Sequence, residues 1–143
     1  MGKKRIVKKG GEGSSARARG AAARAPKRKL DTGILNIEAT YNNTKVSFAD
    51  PMGNIVAWSS SGALGFSGAK KGTPFAAAKV GELIGDRAAA MGVREAAVVV
   101  TGVGAGRESA IRAFITKGIG ISSIKDVTPV PHNGPRSKKP RRI

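Results

Sequence analysis

The stretch GVGAGRE at residues 102–108 has the composition of a phosphate-binding loop. Glycines before a helix leave backbone N–H groups open to an anion, and Arg107 would add a guanidinium beside them. A dinucleotide fingerprint requires glycine where Arg107 stands, and the Gly-Lys-Ser/Thr of a Walker A loop is absent from the sequence. The stretch therefore indicates either a contact with one phosphate or a tight strand-to-helix turn with a solvated arginine.

Two further segments combine positive charge with a backbone rich in glycine or proline. Residues 61–72, SGALGFSGAKKG, hold Lys70 and Lys71 among four glycines, and residues 132–143, HNGPRSKKPRRI, hold five cations and no acid. Glycine allows a backbone to approach another surface closely. Both segments suit phosphate groups, although a solvated lysine pair is common and needs no partner. The second segment is expected to stay extended and to neutralise about five phosphates.

Groups that could perform catalysis are sparse. His132 is the only histidine, cysteine is absent, and the acidic residues have no spacing that requires a shared metal site. The missing cysteines exclude disulfides and thiolate chemistry. We therefore expect no enzyme activity, no cofactor or metal, and no small-molecule substrate.

Alternating apolar residues predict three strands in the first half of the chain. The strands are ILNIEAT at 34–40, TKVSFAD at 44–50 and IVAWSSS at 55–61, separated by the turn signals YNN at 41–43 and DPMGN at 50–54. Because the connections are short, the three strands are expected to form an antiparallel meander.

A helix is predicted to follow the lysine-containing loop. Thr73 is a good N-cap and Pro74 suits the first helical position, whereas Gly92 suits the position just after the helix. Apolar residues recur between them at helical spacing. The predicted buried face contains Ala76, Val80, Leu83, Ile84 and Met91.

The remaining elements complete an alternating pattern. The apolar run AAVVVT at 96–101 predicts a strand covered on both faces. SAIRAFITKG at 109–118 predicts a short helix, and IGISSIKDVT at 119–128 predicts a last strand. The apolar face of this helix is predicted to contain Ile111, Phe114 and Ile115. The order β-β-β-α-β-α-β indicates an α/β fold with helices packed on a mixed five-stranded sheet.

The formal net charge of +17 is concentrated at the two ends of the chain. Residues 1–29 hold 11 basic residues and one acidic residue. Residues 30–131 hold 10 basic and eight acidic residues, and residues 132–143 hold five basic residues and no acidic one. This distribution predicts a basic arm at 1–30, a globular domain at 31–131 and a basic tail, with both ends disordered when free. A polyanionic partner follows from the excess charge. The Arg- and Ala-rich arm is also typical of an organellar transit peptide, which stays an alternative.

Aromatic residues are few, with four Phe, one Tyr and one Trp. Proteins that bind single strands by stacking need exposed aromatic side chains, and the sequence shows no strip of them. The chain is therefore expected to bind a folded RNA through phosphates, 2′-hydroxyls and shape. No apolar run approaches the length of a membrane helix, so no membrane contact is expected.

Five stretches occur in an order and spacing that resemble one known family. They are NNT at 42–44, DPMGN at 50–54, GFSGAKKGTPFAAA at 65–78, GVGAGRESAIRA at 102–113 and DVTPVPHNGPRSKKPRR at 126–142. Together they resemble the family of small-subunit ribosomal protein eleven, in its bacterial and organellar branch. The resemblance begins near Gly33 and covers roughly three-quarters of the chain.

The resemblance implies a ribonuclease-H-like topology without hydrolase activity. It implies a structural constituent of the ribosome that binds small-subunit rRNA in the platform, near the E site and the mRNA exit, and stabilises subunit assembly. The implied partners are this rRNA, neighbouring platform proteins and messenger RNA, in a cytoplasmic ribosome or, as the alternative, an organellar one. The rRNA-binding positions predicted from the residues and the resemblance are Asn42, Asn43, Gly68, Lys70, Lys71, Thr73, Gly104, Gly106, Arg107, Arg112, His132, Asn133, Gly134, Arg136, Lys138, Lys139, Arg141 and Arg142.

The chain departs from the family's usual pattern at several positions. Val103 and Ala105 stand where the family usually has proline, so the glycine loop should be less rigid before binding. Ser67 stands where the family often has Arg or Lys, which removes one expected phosphate contact. A non-specific basic protein that compacts DNA or acts as an RNA chaperone stays the alternative function, because basic ends alone would suffice for it.

Overall fold

The computed structural model describes residues 29–143, which form one five-stranded sheet and two α-helices. The strands are β1 (Thr32–Ala39), β2 (Thr44–Ala49), β3 (Ile55–Ser60), β4 (Glu95–Thr101) and β5 (Gly120–Asp126). The helices are α1 (Pro74–Ala90) and α2 (Gly106–Ile115), and a short 3-10 helix covers Gly68–Gly72. Residues 1–28 of the predicted basic arm lie outside the described residues.

The strand order in the sheet is β3-β2-β1-β4-β5. β2 pairs antiparallel with both β1 and β3, whereas β4 pairs parallel with both β1 and β5. Four strands therefore run in one direction and β2 alone runs in the other. The α/β class, the mixed five-stranded sheet and the topology implied by the resemblance are confirmed.

One face of the sheet is covered by the helices and the other is open. Leu35, Phe48 and Val98 lie side by side in register on β1, β2 and β4, and all three belong to the buried core. The alternate β4 residues Ala97 and Val99 are only half-buried. The prediction that β4 is covered on both faces is therefore wrong, because α1 and α2 pack on the same face of the sheet.

The two helices contact each other through small residues. A Cβ atom at Gly81 of α1 would lie 2.5 Å from the Ala110 carbonyl oxygen of α2 and 3.1 Å from Ala113 Cβ. Ala110 and Ala113 are buried there together with Phe114. Ile115, predicted on the apolar face of α2, is exposed instead, because the alanines and Phe114 form the contact with α1.

Both ends of α1 agree with the sequence. The Thr73 hydroxyl accepts the N–H of Ala76 at 3.4 Å, and Pro74 occupies the first turn. Gly92 follows the helix with a φ of 85°, a conformation that is open to glycine and strained for other residues. The predicted start and end of α1 are confirmed.

Two elements differ from the sequence prediction. α2 begins at Gly106, ahead of the predicted start at Ser109. A Cβ atom at Gly106 would lie 2.4 Å from Thr44 Oγ1 and 2.7 Å from Ala77 Cβ, so the glycine permits close packing within a helix rather than forming a loop. The segment 61–72, predicted to be irregular throughout, contains the 3-10 helix in its second half.

Leu30 already belongs to the folded domain. Leu30, which the sequence places in the basic arm, packs against the core, and its N–H donates to the Met91 carbonyl oxygen at 3.1 Å. This contact joins the segment before β1 to the end of α1. Within residues 29–143, no helix has the length and apolar character needed to span a bilayer.

Candidate nucleic-acid interface

The segments predicted to bind RNA gather at one end of the sheet. β1, β3, β4 and β5 run in the same direction, so the segments that follow them all lie at the C-terminal ends of these strands. We call this end of the sheet the loop end. It comprises the turn at 40–43, the lysine loop at 61–73, the glycine loop at 102–107 and the start of the tail at 126–128.

The turn between β1 and β2 is held by Thr40 and Asn43. The Thr40 N–H donates to the Asn43 carbonyl oxygen at 2.9 Å, and the Asn43 N–H donates to Thr40 Oγ1 at 3.1 Å. Asn43 Oδ1 also accepts the N–H of Gly62 at 3.4 Å, which joins the turn to the lysine loop. Asn42 is exposed at the tip, so it is the asparagine of this pair that is more open to a ligand.

The lysine loop packs closely against this turn. A Cβ atom at Gly72 would lie 2.1 Å from the Tyr41 carbonyl oxygen, so only glycine fits there. Thr73, predicted to contact rRNA, donates its hydroxyl hydrogen to the Lys70 carbonyl oxygen at 2.6 Å and caps α1. The structure thus gives Thr73 a structural role in closing the loop. Gly68 is exposed, with a φ of 61°.

The two lysines of this loop are available for an anionic partner. Lys70 is exposed and Lys71 is half-buried. Neither forms an ion pair with an acid in the described part of the chain. The first turn of α1, which follows directly, contains no acidic residue. The local charge at this point is therefore positive and uncompensated.

The glycine loop is packed against β1 rather than open to a ligand. Gly104 is buried, and its N–H donates to the Ala39 carbonyl oxygen at 2.9 Å. A Cβ atom at Gly104 would lie 2.3 Å from the Thr40 carbonyl oxygen. Gly106 is also buried. Both glycines face protein atoms, and their predicted rRNA contacts stay predictions.

Arg107 has protein partners that the sequence did not reveal. Its guanidinium donates to the Gly102 carbonyl oxygen, to Thr128 Oγ1 at 3.2 Å and to the Asp126 carboxylate. The ion pair with Asp126 joins the first turn of α2 to the end of β5. The single-phosphate role predicted for Arg107 would require a phosphate to compete with these three acceptors.

The Asp126 carboxylate is held in its ionised form. The hydrogen bond from the Thr128 hydroxyl is the main cause that holds the Asp126 pKa well below its usual range. The hydrogen bonds from the Arg107 guanidinium and from the Thr128 N–H lower this pKa further. A lowered pKa in the folded state stabilises the fold above the ordinary aspartate pKa, and this stabilisation is lost as the pH falls toward the lowered value. The Arg107–Asp126 pair is therefore intact throughout the neutral range.

The basic tail is exposed along its length. Residues 129–143 form no helix or strand, and all of them are exposed. Asn133, at a φ of 58°, is the only described residue other than glycine with a positive φ. Seven predicted rRNA-binding residues lie in this exposed segment besides Asn133, and all remain predictions. They are His132, Gly134, Arg136, Lys138, Lys139, Arg141 and Arg142.

Arg112 lies in the last turn of α2 and is exposed. It forms an ion pair with Glu108 one turn earlier, and both side chains are largely exposed. Surface pairs of this kind contribute little to stability, so an incoming phosphate could replace Glu108. The predicted contact of Arg112 with rRNA stays a prediction.

Comparison with known proteins gives one consistent result. The family model described as Ribosomal protein S11 matches residues 33–142. The chain belongs to this family. It is 51% identical over 120 residues to the small ribosomal subunit protein uS11 of Synechococcus elongatus, covering 84% of this chain and 92% of the relative. The protein of the same name from Gloeobacter violaceus is 49% identical over 125 residues, 87% of this chain and 96% of the relative.

A third relative agrees with the first two. The small ribosomal subunit protein uS11 of Solibacter usitatus is 51% identical over 117 residues, which cover 82% of this chain and 87% of the relative. As a member of the S11 family, the chain is a ribosomal protein with a structural function and is not an enzyme. Among residues 29–143, no group of three or more His, Cys, Asp or Glu side chains is placed to hold a metal ion.

Three aromatic side chains of the described domain are exposed. The exposed fraction is 78% for Tyr41, 65% for Trp58 and 64% for Phe75. Phe66 packs edge-on to Phe75, with ring centroids 6.1 Å apart, and Lys79 Nζ lies 5.7 Å from the Phe75 centroid. The three exposed side chains lie in the turn after β1, on β3 and at the start of α1, so the expectation that the chain binds RNA through phosphates, 2′-hydroxyls and shape stays a prediction.

Proposed function

We propose that the chain is a structural constituent of the small ribosomal subunit that binds its rRNA with the loop end and the basic tail. Two surfaces would bind the RNA. The lysine loop would contact phosphates on a folded RNA, and the extended tail would pass between RNA helices and replace their counterions. The proposal keeps the predicted division into a basic arm at 1–30, a globular domain at 31–131 and a tail at 132–143, except that Leu30 belongs to the domain.

One observation carries this proposal: seven of the 11 Lys and Arg residues without an ion pair in residues 29–143 lie in the lysine loop and the tail. Elsewhere in the described domain, several cations pair with acids, as in Lys45–Glu38, Lys79–Glu82 and Lys117–Asp86, and the unpaired ones are scattered singly along the chain. The lysines of the lysine loop and the five tail cations have no such pairs within residues 29–143. A polyanion approaching this end therefore meets charge that need not be released from a protein partner.

The finer location is part of the proposal. The chain would lie in the platform of the subunit, near the E site and the mRNA exit, beside neighbouring platform proteins and close to messenger RNA. A cytoplasmic ribosome is proposed, with an organellar ribosome as the alternative. The relatives named above, which match across most of their own length, support a bacterial type of ribosome.

Removing the two loop lysines tests the lysine loop directly. For the double variant Lys70→Gln/Lys71→Gln, we expect the log–log salt slope of rRNA affinity to become shallower by about 1.4 to 1.8, because two phosphate contacts are lost. The measurement is filter binding to transcribed small-subunit rRNA over a series of salt concentrations.

A charge-matched control lies at the opposite end of the sheet. Lys29 and Arg94 precede β1 and β4, are exposed, and form no ion pair within the described chain. The variant Lys29→Gln/Arg94→Gln removes the same charge and should leave the slope unchanged. Equal changes in both double variants would indicate general attraction to nucleic acid, which is the alternative function.

A further inference from the structure

We propose that Arg107 is a positioning residue, which acts on RNA binding by fixing the direction of the basic tail and not by touching a phosphate. Arg107, Asp126 and Thr128 form what we call the tail clamp. The inference rests on the proposed function, in which the tail contacts rRNA. It replaces the single-phosphate role that the glycine loop suggested in the sequence.

The tail clamp connects three segments at the point where the tail leaves the sheet. Arg107 lies in the first turn of α2, and its guanidinium reaches the Gly102 carbonyl oxygen in the glycine loop and the Asp126 carboxylate at the end of β5. The Arg107 side chain is 32% exposed, so most of its surface is shielded from solvent. A guanidinium holds acceptors in a fixed planar arrangement, which a lysine ammonium does not.

Thr128 closes the clamp from the side of the tail. Its hydroxyl and its N–H both approach Asp126 Oδ1, at 2.6 and 2.9 Å. The Gly102 N–H donates to Thr128 Oγ1 at 3.1 Å, and the Val127 N–H donates to the Val100 carbonyl oxygen at 2.9 Å. The backbone from Asp126 to Thr128 is therefore fixed on both sides.

Thr128 is the last residue that the domain holds. No hydrogen bond or ion pair in the described chain involves a residue after it. Pro129 and Pro131 follow directly, and their rings restrict the backbone that leads into the tail. The orientation of Thr128 thus sets the direction in which five cations leave the loop end. Because the direction of the tail is already set, the tail loses less conformational entropy when it binds.

Asp126 makes the positioning role distinguishable from a direct phosphate contact. If Arg107 bound a phosphate, the neighbouring carboxylate would repel that phosphate and compete for the guanidinium. Removing the negative charge of Asp126 would then strengthen RNA binding. If Arg107 positions the tail through Asp126, the same change releases the tail and weakens binding. The two roles therefore predict effects of opposite sign.

The test compares Asp126→Asn in two backgrounds, using transcribed small-subunit rRNA as the probe. One background is the full chain, and the other is a full-length chain whose five tail cations are replaced by glutamine. We expect affinity to fall about five- to tenfold in the first background and to stay unchanged or rise slightly in the second. A rise in the first, or an equal fall in both, would overturn the proposal.

A second variant, Arg107→Lys, and the affinity of the chain with a neutralised tail distinguish failure of the inference from failure of the proposed function. Arg107→Lys keeps the charge but not the planar fork, so it should also weaken binding only when the tail is charged. If Arg107→Lys binds like the unaltered chain, the clamp is not needed and the inference is wrong. Circular dichroism must show both variants folded. If neutralising the tail leaves affinity unchanged, the proposed function of the tail fails, and the inference fails with it.

Discussion

Deleting residues 132–143 is expected to lower the affinity for small-subunit rRNA by about 10³-fold near 0.15 M salt. The segment carries five cations and no acid, and each phosphate neutralised releases condensed counterions. Five contacts correspond to a log–log salt slope that becomes shallower by about 3.5 to 4.5. Binding measured across a salt series gives both quantities.

The deletion should leave the domain folded. Residues 129–143 are exposed and contribute no hydrogen bond to the described domain, so their removal takes nothing from the core. Thermal unfolding followed by circular dichroism should show a cooperative transition close to that of the full chain. A molten or strongly destabilised domain would contradict the independence of tail and domain, and an unchanged salt slope would contradict the RNA contact.

Gly102→Ala is expected to destabilise the fold by about 3 kcal/mol or more, because two costs coincide there. Gly102 has a φ of 99°, and a Cβ atom would lie 2.1 Å from the Ala39 carbonyl oxygen. The alanine would therefore push the glycine loop away from the end of β1. Urea unfolding at neutral pH measures the change in the free energy of unfolding.

Two matched variants separate these costs. Gly53 has a φ of 93° with nothing within 4 Å of its Cβ position, so Gly53→Ala should cost only about 1–2 kcal/mol. Gly104 has no positive φ, but its Cβ atom would lie 2.3 Å from the Thr40 carbonyl oxygen, so Gly104→Ala should cost about 1–3 kcal/mol. If Gly102→Ala costs no more than Gly53→Ala, the loop is not packed on β1 as described.

Features set by local sequence were predictable from the sequence. The alternation of Leu35 and Ile37 with polar neighbours fixed a strand, because burial of one sheet face has a period of two residues. Thr73-Pro74 fixed the start of α1, because capping depends on neighbouring residues only. The family motifs identified the family, and the matched range of 33–142 agrees with the predicted range from Gly33 onward.

Features set by distant contacts were not predictable. Arg107 is 19 residues from Asp126 and 21 from Thr128, and no local pattern indicates that they meet. Glycines in a motif also do not reveal whether they face a ligand or a neighbouring strand. Gly104 faces β1, and neither the residue type nor the family resemblance that led to its rRNA-binding prediction shows in which direction the glycine faces.

The sequence also did not show whether one or both faces of a strand are buried. The apolar run of β4 is compatible with a strand covered on both faces, and only the placement of α1 and α2 on one face excludes this. The exposure of Trp58 on β3 follows from the same arrangement, because alternate residues of an edge strand need not all meet the helices. An alternating pattern identifies a strand but not what covers its second face.

The central claim is that this protein is built into the small ribosomal subunit through specific rRNA contacts. Sedimentation of the tagged full-length chain from a cell extract, at low salt and near 0.5 M salt, tests it most directly. We expect comigration with small subunits at both salt concentrations, because screening should strip only a loosely held basic chain. Release into the light fractions at high salt, or spreading across all nucleic acid, would contradict the claim and favour a non-specific basic protein.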